Sequence, residues 1–268
     1  MTDRYDVTIA YRIYPKFGRQ AFVLPSWKKY DLAMVCLKSL LKALERINYK
    51  LYAILDGCPA EYKELFSKLV DSDHLKIVEL PGNGNAATFL EQMRLLKDQH
   101  ESEIVYFAED DYLYTEKAML EMLEMIEESD VDFVTPYDHT DYYLAPSIHS
   151  YRSKIVFKSR HWRTVSSTTM TFLTKKPILE KVVKYLSLYP RAGDYGMWLM
   201  MTKMRKTHFS FRRTAYLYKL AGMRLVVGKP FKLWSPMPSL ATHMVESMMS
   251  LGVDWNEIIG RYSLTEPR

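Results

Sequence analysis

Val7-Thr8-Ile9-Ala10-Tyr11-Arg12-Ile13 is apolar or β-branched at almost every position and predicts a buried strand. From Asp31 to Ile47 the apolar residues fall at 32, 35, 36, 40, 43, 44 and 47, the spacing of an amphipathic helix. Tyr49 to Leu55 predicts a second strand, stopped by Asp56-Gly57-Cys58-Pro59. A helix over Ala60–Val70, a short strand over Leu75–Glu79, a loop at Pro81-Gly82-Asn83-Gly84-Asn85 and a helix over Ala86–Gln99 follow. Ile104-Val105-Tyr106-Phe107 predicts a fourth, fully buried strand, and a helical pattern runs from about Glu116 to Glu128. Strands alternating with helices in this way imply an α/β fold with a mostly parallel sheet covered by helices.

Beyond Glu128 the rhythm changes. A strand is expected over Val131–Thr135, then an irregular stretch over Pro136–Pro146. Lys154–Lys158 and Val165–Leu173 suggest an antiparallel pair, a small extension of the sheet. Helices are expected over Pro177–Leu186 and Tyr195–Met204, and a short strand near Leu225-Val226-Val227. No repeat or composition break divides the chain, so residues 1–268 read as one domain with two functional halves. The halves cover about 1–114 and about 115–245, with 246–268 as a C-terminal tail.

Composition narrows the class. With 48% hydrophobic and 13% aromatic residues a sizeable core is expected and disorder is not. Two cysteines make neither a disulfide framework nor a zinc site. A polar N-terminus and the lack of an 18-residue apolar run lead to the expectation of a cytoplasmic protein, soluble or peripheral at a membrane. The net charge is 37 − 32 = +5, and its distribution says more than its size. Residues 101–141 hold 14 acids and one base, Lys117, whereas the stretch between Asp194 and Glu246 holds nine Lys or Arg and no acid. No nucleic-acid module is recognisable, so nucleic acid is not an expected partner.

The acids concentrate in Ala108-Glu109-Asp110-Asp111, at the end of the fourth strand. Three adjacent carboxylates there repel one another and lose solvation unless positive charge joins them. A divalent cation that takes oxygen ligands, Mg²⁺ or Mn²⁺, is one answer. The other is that the acids simply solvate a strand end and load the next helix turn.

Five short segments in order, within residues about 7 to 245, carry a resemblance. They are Tyr11-Arg12 ending the first strand, Asp56-Gly57 ending the second, Asn83-Gly84-Asn85-Ala86-Ala87 opening a helix, Glu109-Asp110-Asp111, and Gly193-Asp194-Tyr195 opening a late helix. Together they resemble a nucleotide-sugar-dependent glycosyltransferase of the GT-A fold, most similar to family 2. The triplet is similar to the family's D-x-D motif, with Glu109 where the family has Asp.

The resemblance implies a Rossmann-like GT-A domain that moves a sugar from a nucleoside-diphosphate donor, by frequency UDP-linked, to a hydroxyl on a glycan or lipid-linked acceptor, with inversion. It implies Asp111 as a ligand of Mn²⁺ or Mg²⁺ and His243 as a late metal or diphosphate contact. Tyr11, Arg12, Asp56, Asn83, Asn85, Glu109 and Asp110 would contact the nucleotide sugar. Asp194 would be the catalytic base. Each residue also has a plainer reading: Asp56 and Asp194 suit turns and helix caps, and a lone His243 suits a structural role. The oligomeric state is not readable. Two rival functions share features with this one. A sugar-phosphate nucleotidyltransferase would need a Gly-rich basic loop after the first strand, where residues 14–20 hold one Gly. A non-catalytic glycan- or anionic-surface-binding protein would use the basic segment over residues 203–232.

Overall fold

Strand β1, Val7–Ile13, sorts its side chains to two faces of a sheet, as the two-residue period of a strand requires. The computed structural model describes residues 5–18, 21–22, 24–25, 27–128, 130–144, 153–204, 219, 222 and 228–263. Val7, Ile9, Tyr11 and Ile13 pack on one face with helices α1 (Lys29–Ala43), α2 (Ala60–Leu69) and α4 (Ala118–Glu127). Ala10 packs on the other face, with α3 (Asn85–Asp98), α6 (Lys176–Leu186) and α7 (Tyr189–Thr202). Arg12 shares the parity of Ala10.

Among the described residues nine strands form one sheet. β2 (Tyr49–Asp56), β3 (Leu75–Leu80) and β4 (Ile104–Glu109) join β1 in the parallel order β3-β2-β1-β4. The sheet continues through β9 (Phe172–Lys175), β6 (Phe133–Val134), β10 (Leu233–Met237), β8 (Arg160–Val165) and β7 (Lys154–Phe157). Only β9 and β8 run against the rest, so the expected mostly parallel central sheet flanked by helices is present. A separate antiparallel pair joins β5 (Tyr112–Tyr114) to β11 (Ala241–His243). The short helix α5 (Asp141–Leu144) lies inside the stretch expected to be irregular.

Three differences from the sequence reading have local causes. Lys158 takes a positive φ of 51° and turns the chain back at once, so β7 pairs with β8, Phe157 opposite Arg160, and not with Val165–Leu173. Phe172–Lys175 instead lies between β4 and β6. The segment expected to be a tail contains a helix: α8 (Trp255–Ser263) buries Trp255 and Ile259 against Leu32, Val35 and Cys36 of α1. The expected strand at 225–227 lies outside the described residues, as does most of the basic segment. No helix among the described residues is long and apolar enough to cross a membrane.

Candidate active site

Register brings the first two site residues together. β1 and β4 are parallel neighbours with Arg12 opposite Glu109, at the C-terminal ends of both strands. Arg12 Nη2 donates to Glu109 Oε1 at 2.5 Å, and both side chains are largely buried. Nη1 of Arg12 donates to the Asn85 backbone oxygen at 2.8 Å and also to Asn85 Oδ1. The second oxygen of Glu109, Oε2, accepts from Thr171 Oγ1 at 3.0 Å. Glu109 is therefore paired through both oxygens within the protein while it also lines the site's cavity.

Asp110 is satisfied differently. Its Oδ2 accepts the Tyr14 backbone N–H at 3.0 Å and lies 3.0 Å from Lys29 Nζ. Burial raises the Asp110 carboxyl above its ordinary pKa against the pull of Lys29. Burial also works against the Lys29 ammonium, but Asp110 and Asp111 beside it hold its pKa above the ordinary value. Nothing in the sequence marked Lys29, because a lysine in a first helical turn is ordinarily solvated.

Asp111 meets a histidine from the far half of the chain. Its Oδ2 lies 3.1 Å from His243 Nε2, while the buried Oδ1 has no partner. Burial favours the neutral carboxyl, yet His243 outweighs it and draws the Asp111 pKa below the ordinary range. Burial likewise opposes the imidazolium, and Asp111 overrides it to raise His243. The pairing of β5 with β11 puts His243 opposite Tyr112, whose ring stacks on the imidazole at 5.0 Å with the planes 4° apart. His243 Nδ1 is also buried without a partner.

Asp56, at the end of β2, holds the loop before α3. Its Oδ1 accepts from Gly82 N at 3.1 Å and Asn83 N at 2.6 Å, and its Oδ2 from Gly84 N at 2.7 Å. This is an anion in a nest of backbone amides, and the anion is the protein's own. Asp56 thus spends its carboxylate on the loop and does not cap α2. The loop can come this close because Gly57 lacks a Cβ: at φ +67° one would sit 3.1 Å from Gly82 Cα.

Arg12, Asp56, Asn85, Glu109, Asp110 and Asp111 all line one cavity of about 390 Å³. Tyr14 and Phe17, each more than two-fifths exposed, stand at its wall with Lys16 between them. Three cations, Arg12, Lys16 and Lys29, face four carboxylates, Asp56, Glu109, Asp110 and Asp111, a formal charge of −1.

Two expected donor contacts are not on this wall. Tyr11 is fully buried on the opposite face of the sheet, edge-on to Phe66 at 5.7 Å, because strand alternation turns it away from Arg12. Asn83 is not among the residues lining the cavity, and its backbone N–H goes to Asp56. Asp194 follows a kink in α7 at Gly193 (φ 66°, ψ 177°). It is exposed, does not line the cavity, and accepts the Tyr195 N–H at 2.6 Å. Its charge still reaches the site's edge: the Tyr189 pKa is raised chiefly by burial, and Asp194 adds to the shift.

Farther out, Trp162 and Arg163 are core residues. Arg163 pairs with Asp138 at 2.6 Å and lies over the Tyr143 ring at 4.6 Å. Thr168 and Thr169 are engaged with Thr135 and Tyr112, at 2.9 and 2.6 Å.

Among the described residues no group of three or more His, Cys, Asp or Glu forms a cage for a metal. The donor set of Asp111 with His243 would nevertheless suit a divalent cation. One oxygen is buried and unpartnered, and a carboxylate with an imidazole suits Mn²⁺.

No protein-family model matches this sequence, and no curated protein does. Solved structures give slight likenesses. One is S. aureus TarS 1–349 in complex with UDP-GlcNAc, at 14% identity and a TM-score of 0.43, covering 72% of this chain and 52% of that one. Another is the mannosyltransferase PcManGT from Pyrobaculum calidifontis in complex with GDP-Man and Mn²⁺. It has 14% identity and a TM-score of 0.43, over 85% of this chain and 66% of that one. This chain spans about half the length of TarS 1–349.

Proposed function

We propose that the chain is a metal-dependent glycosyltransferase that uses a nucleoside-diphosphate sugar. One observation carries this reading. Of three adjacent carboxylates at the floor of the cavity, two are neutralised by Arg12 and Lys29, and only Asp111 retains an unpartnered buried oxygen, beside His243. A cavity of formal charge −1 repels a diphosphate by itself and attracts a dication. Asp111 and His243 would hold Mn²⁺ or Mg²⁺, which neutralises the leaving diphosphate when bound.

The protein's own groups supply the rest. Arg12 holds Asn85 at the N-terminus of α3, and Asp56 shapes the loop before it, so both fix the wall the donor meets. Asp194 takes the proton from an acceptor hydroxyl, which attacks the anomeric carbon from the face opposite the leaving group, with inversion. The acceptor is a hydroxyl of a glycan or lipid-linked glycan. The cytoplasm, or a membrane surface facing it, is the compartment that suits such a donor.

A hydrolysis screen over nucleotide sugars, with and without Mn²⁺, tests this. The expected result is Mn²⁺-dependent release of one nucleoside diphosphate, abolished in Asp111→Asn. The absence of both hydrolysis and calorimetric binding, for every nucleoside diphosphate tested with Mn²⁺, would overturn the reading.

A further inference from the structure

Asn85 uses both ends of its amide. Oδ1 accepts from Arg12, and Nδ2 donates to the Tyr189 hydroxyl at 2.9 Å. The two contacts fix the orientation of the amide, since only this one gives each partner its complement. Tyr189 is the first residue of α7, five positions before Asp194. Its ring lies against Phe89 at 4.8 Å, and the Arg12 guanidinium sits over the same Phe89 ring at 6.0 Å. A continuous chain of contacts thus runs from Glu109 through Arg12 and Asn85 to α7. Burial keeps the Tyr189 phenol above its ordinary pKa, so the hydroxyl stays protonated at neutral pH.

We propose that Tyr189 is a positioning residue that couples occupancy of the cavity to the placement of α7, and with it Asp194. This rests on the nucleotide-sugar reading above. Asn85 lines the cavity, so a ligand that orders Asn85 also orders the acceptor of its Nδ2 proton. A purely structural tyrosine would stabilise α7 equally with and without ligand. A positioning tyrosine makes the stability of α7 depend on the ligand.

Tyr189→Phe removes the hydroxyl and keeps the ring on Phe89. Hydrogen–deuterium exchange of the wild type and Tyr189→Phe, free and with UDP or GDP plus Mn²⁺, reads the coupling. In the wild type, nucleotide should slow exchange both at residues 84–88 and in the later turns of α7. In Tyr189→Phe the slowing at 84–88 should remain, and that in α7 should shrink about fivefold, the worth of one neutral hydrogen bond. Turnover should show the same split, with kcat about fivefold lower and the donor KM unchanged. Equal ligand-induced slowing of α7 in both proteins would overturn the coupling while leaving the donor site intact. No slowing at 84–88 in the wild type with either nucleotide would overturn the nucleotide reading and the coupling with it.

Discussion

Asp111 and His243, 132 positions apart, meet through Oδ2 and Nε2 at 3.1 Å. The pairing exists because β5 and β11 run antiparallel and set His243 opposite Tyr112, next to Asp111. Its consequence for stability has a definite sign. His243 is raised above its free pKa of about 6.5, so its contribution is full below that pH and is lost as pH rises through the folded value. Asp111 is lowered below its free pKa of about 3.9, so its contribution is full above that pH and is lost as pH falls. In metal-free protein the pair therefore stabilises most between about pH 4 and 6.5, on the order of 1 kcal/mol. Urea unfolding in chelator should show the wild type losing more stability from pH 6.5 to 8 than Asp111→Asn does. Parallel profiles would show that the ion pair contributes nothing.

Arg12→Ala should destabilise the fold and the site together. It leaves Glu109 with Thr171 alone and frees Asn85 from the wall. Because Glu109 is about one-fifth exposed, part of its charge would be rescued by water, and a loss of about 2 kcal/mol is expected. Arg12→Lys should recover part of the stability but little activity, since an ammonium cannot hold Glu109 and Asn85 in the same plane. Denaturant midpoints and donor KM separate the two effects.

Asp56→Asn should distort the loop before α3. One carboxylate serves three backbone N–H groups, and an amide presents donors where acceptors are needed. A loss of about 2 kcal/mol is expected, with a higher donor KM. Gly57→Ala should act on the same loop by strain, since its Cβ would press on Gly82 Cα from a left-handed backbone. Both variants should unfold at lower urea than the wild type. A wild-type midpoint for either would mean that the loop is held by something else.

Asp194→Asn should leave stability within about 0.5 kcal/mol, because the residue is exposed. Transfer should fall by about a hundredfold or more if Asp194 removes the acceptor proton. Unchanged turnover in a folded variant would reassign the base.

The first four strands and three helices were legible because each is either a short apolar run bounded by turn residues or a helical repeat. β1 and β4 are apolar on both faces, and α1 repeats every three to four residues. β10 was not legible: proline cannot donate to a ladder and argues against a strand, yet Pro236 sits in the ladder opposite Trp162. β5 and β11, three residues each, are too short to show any period, and only their partner defines them.

At the site, the acid cluster, the Asp56 strand end, Asn85 and the remote His243 were legible as residue types in a given order. Their division of labour was not. Composition places three like charges in a row and demands compensation for each, which is a consequence of Coulomb's law and needs no coordinates. Which counter-charge reaches which acid depends on register, on the entry of α1 and on a two-stranded pairing across nearly half of the chain. By itself the sequence determined that the acids lie at the end of a buried strand and cannot all stand alone. Only the tertiary structure decided that Arg12 takes Glu109, Lys29 takes Asp110, and Asp111 is left with His243, because contacts between distant residues are set by packing and not by spacing along the chain.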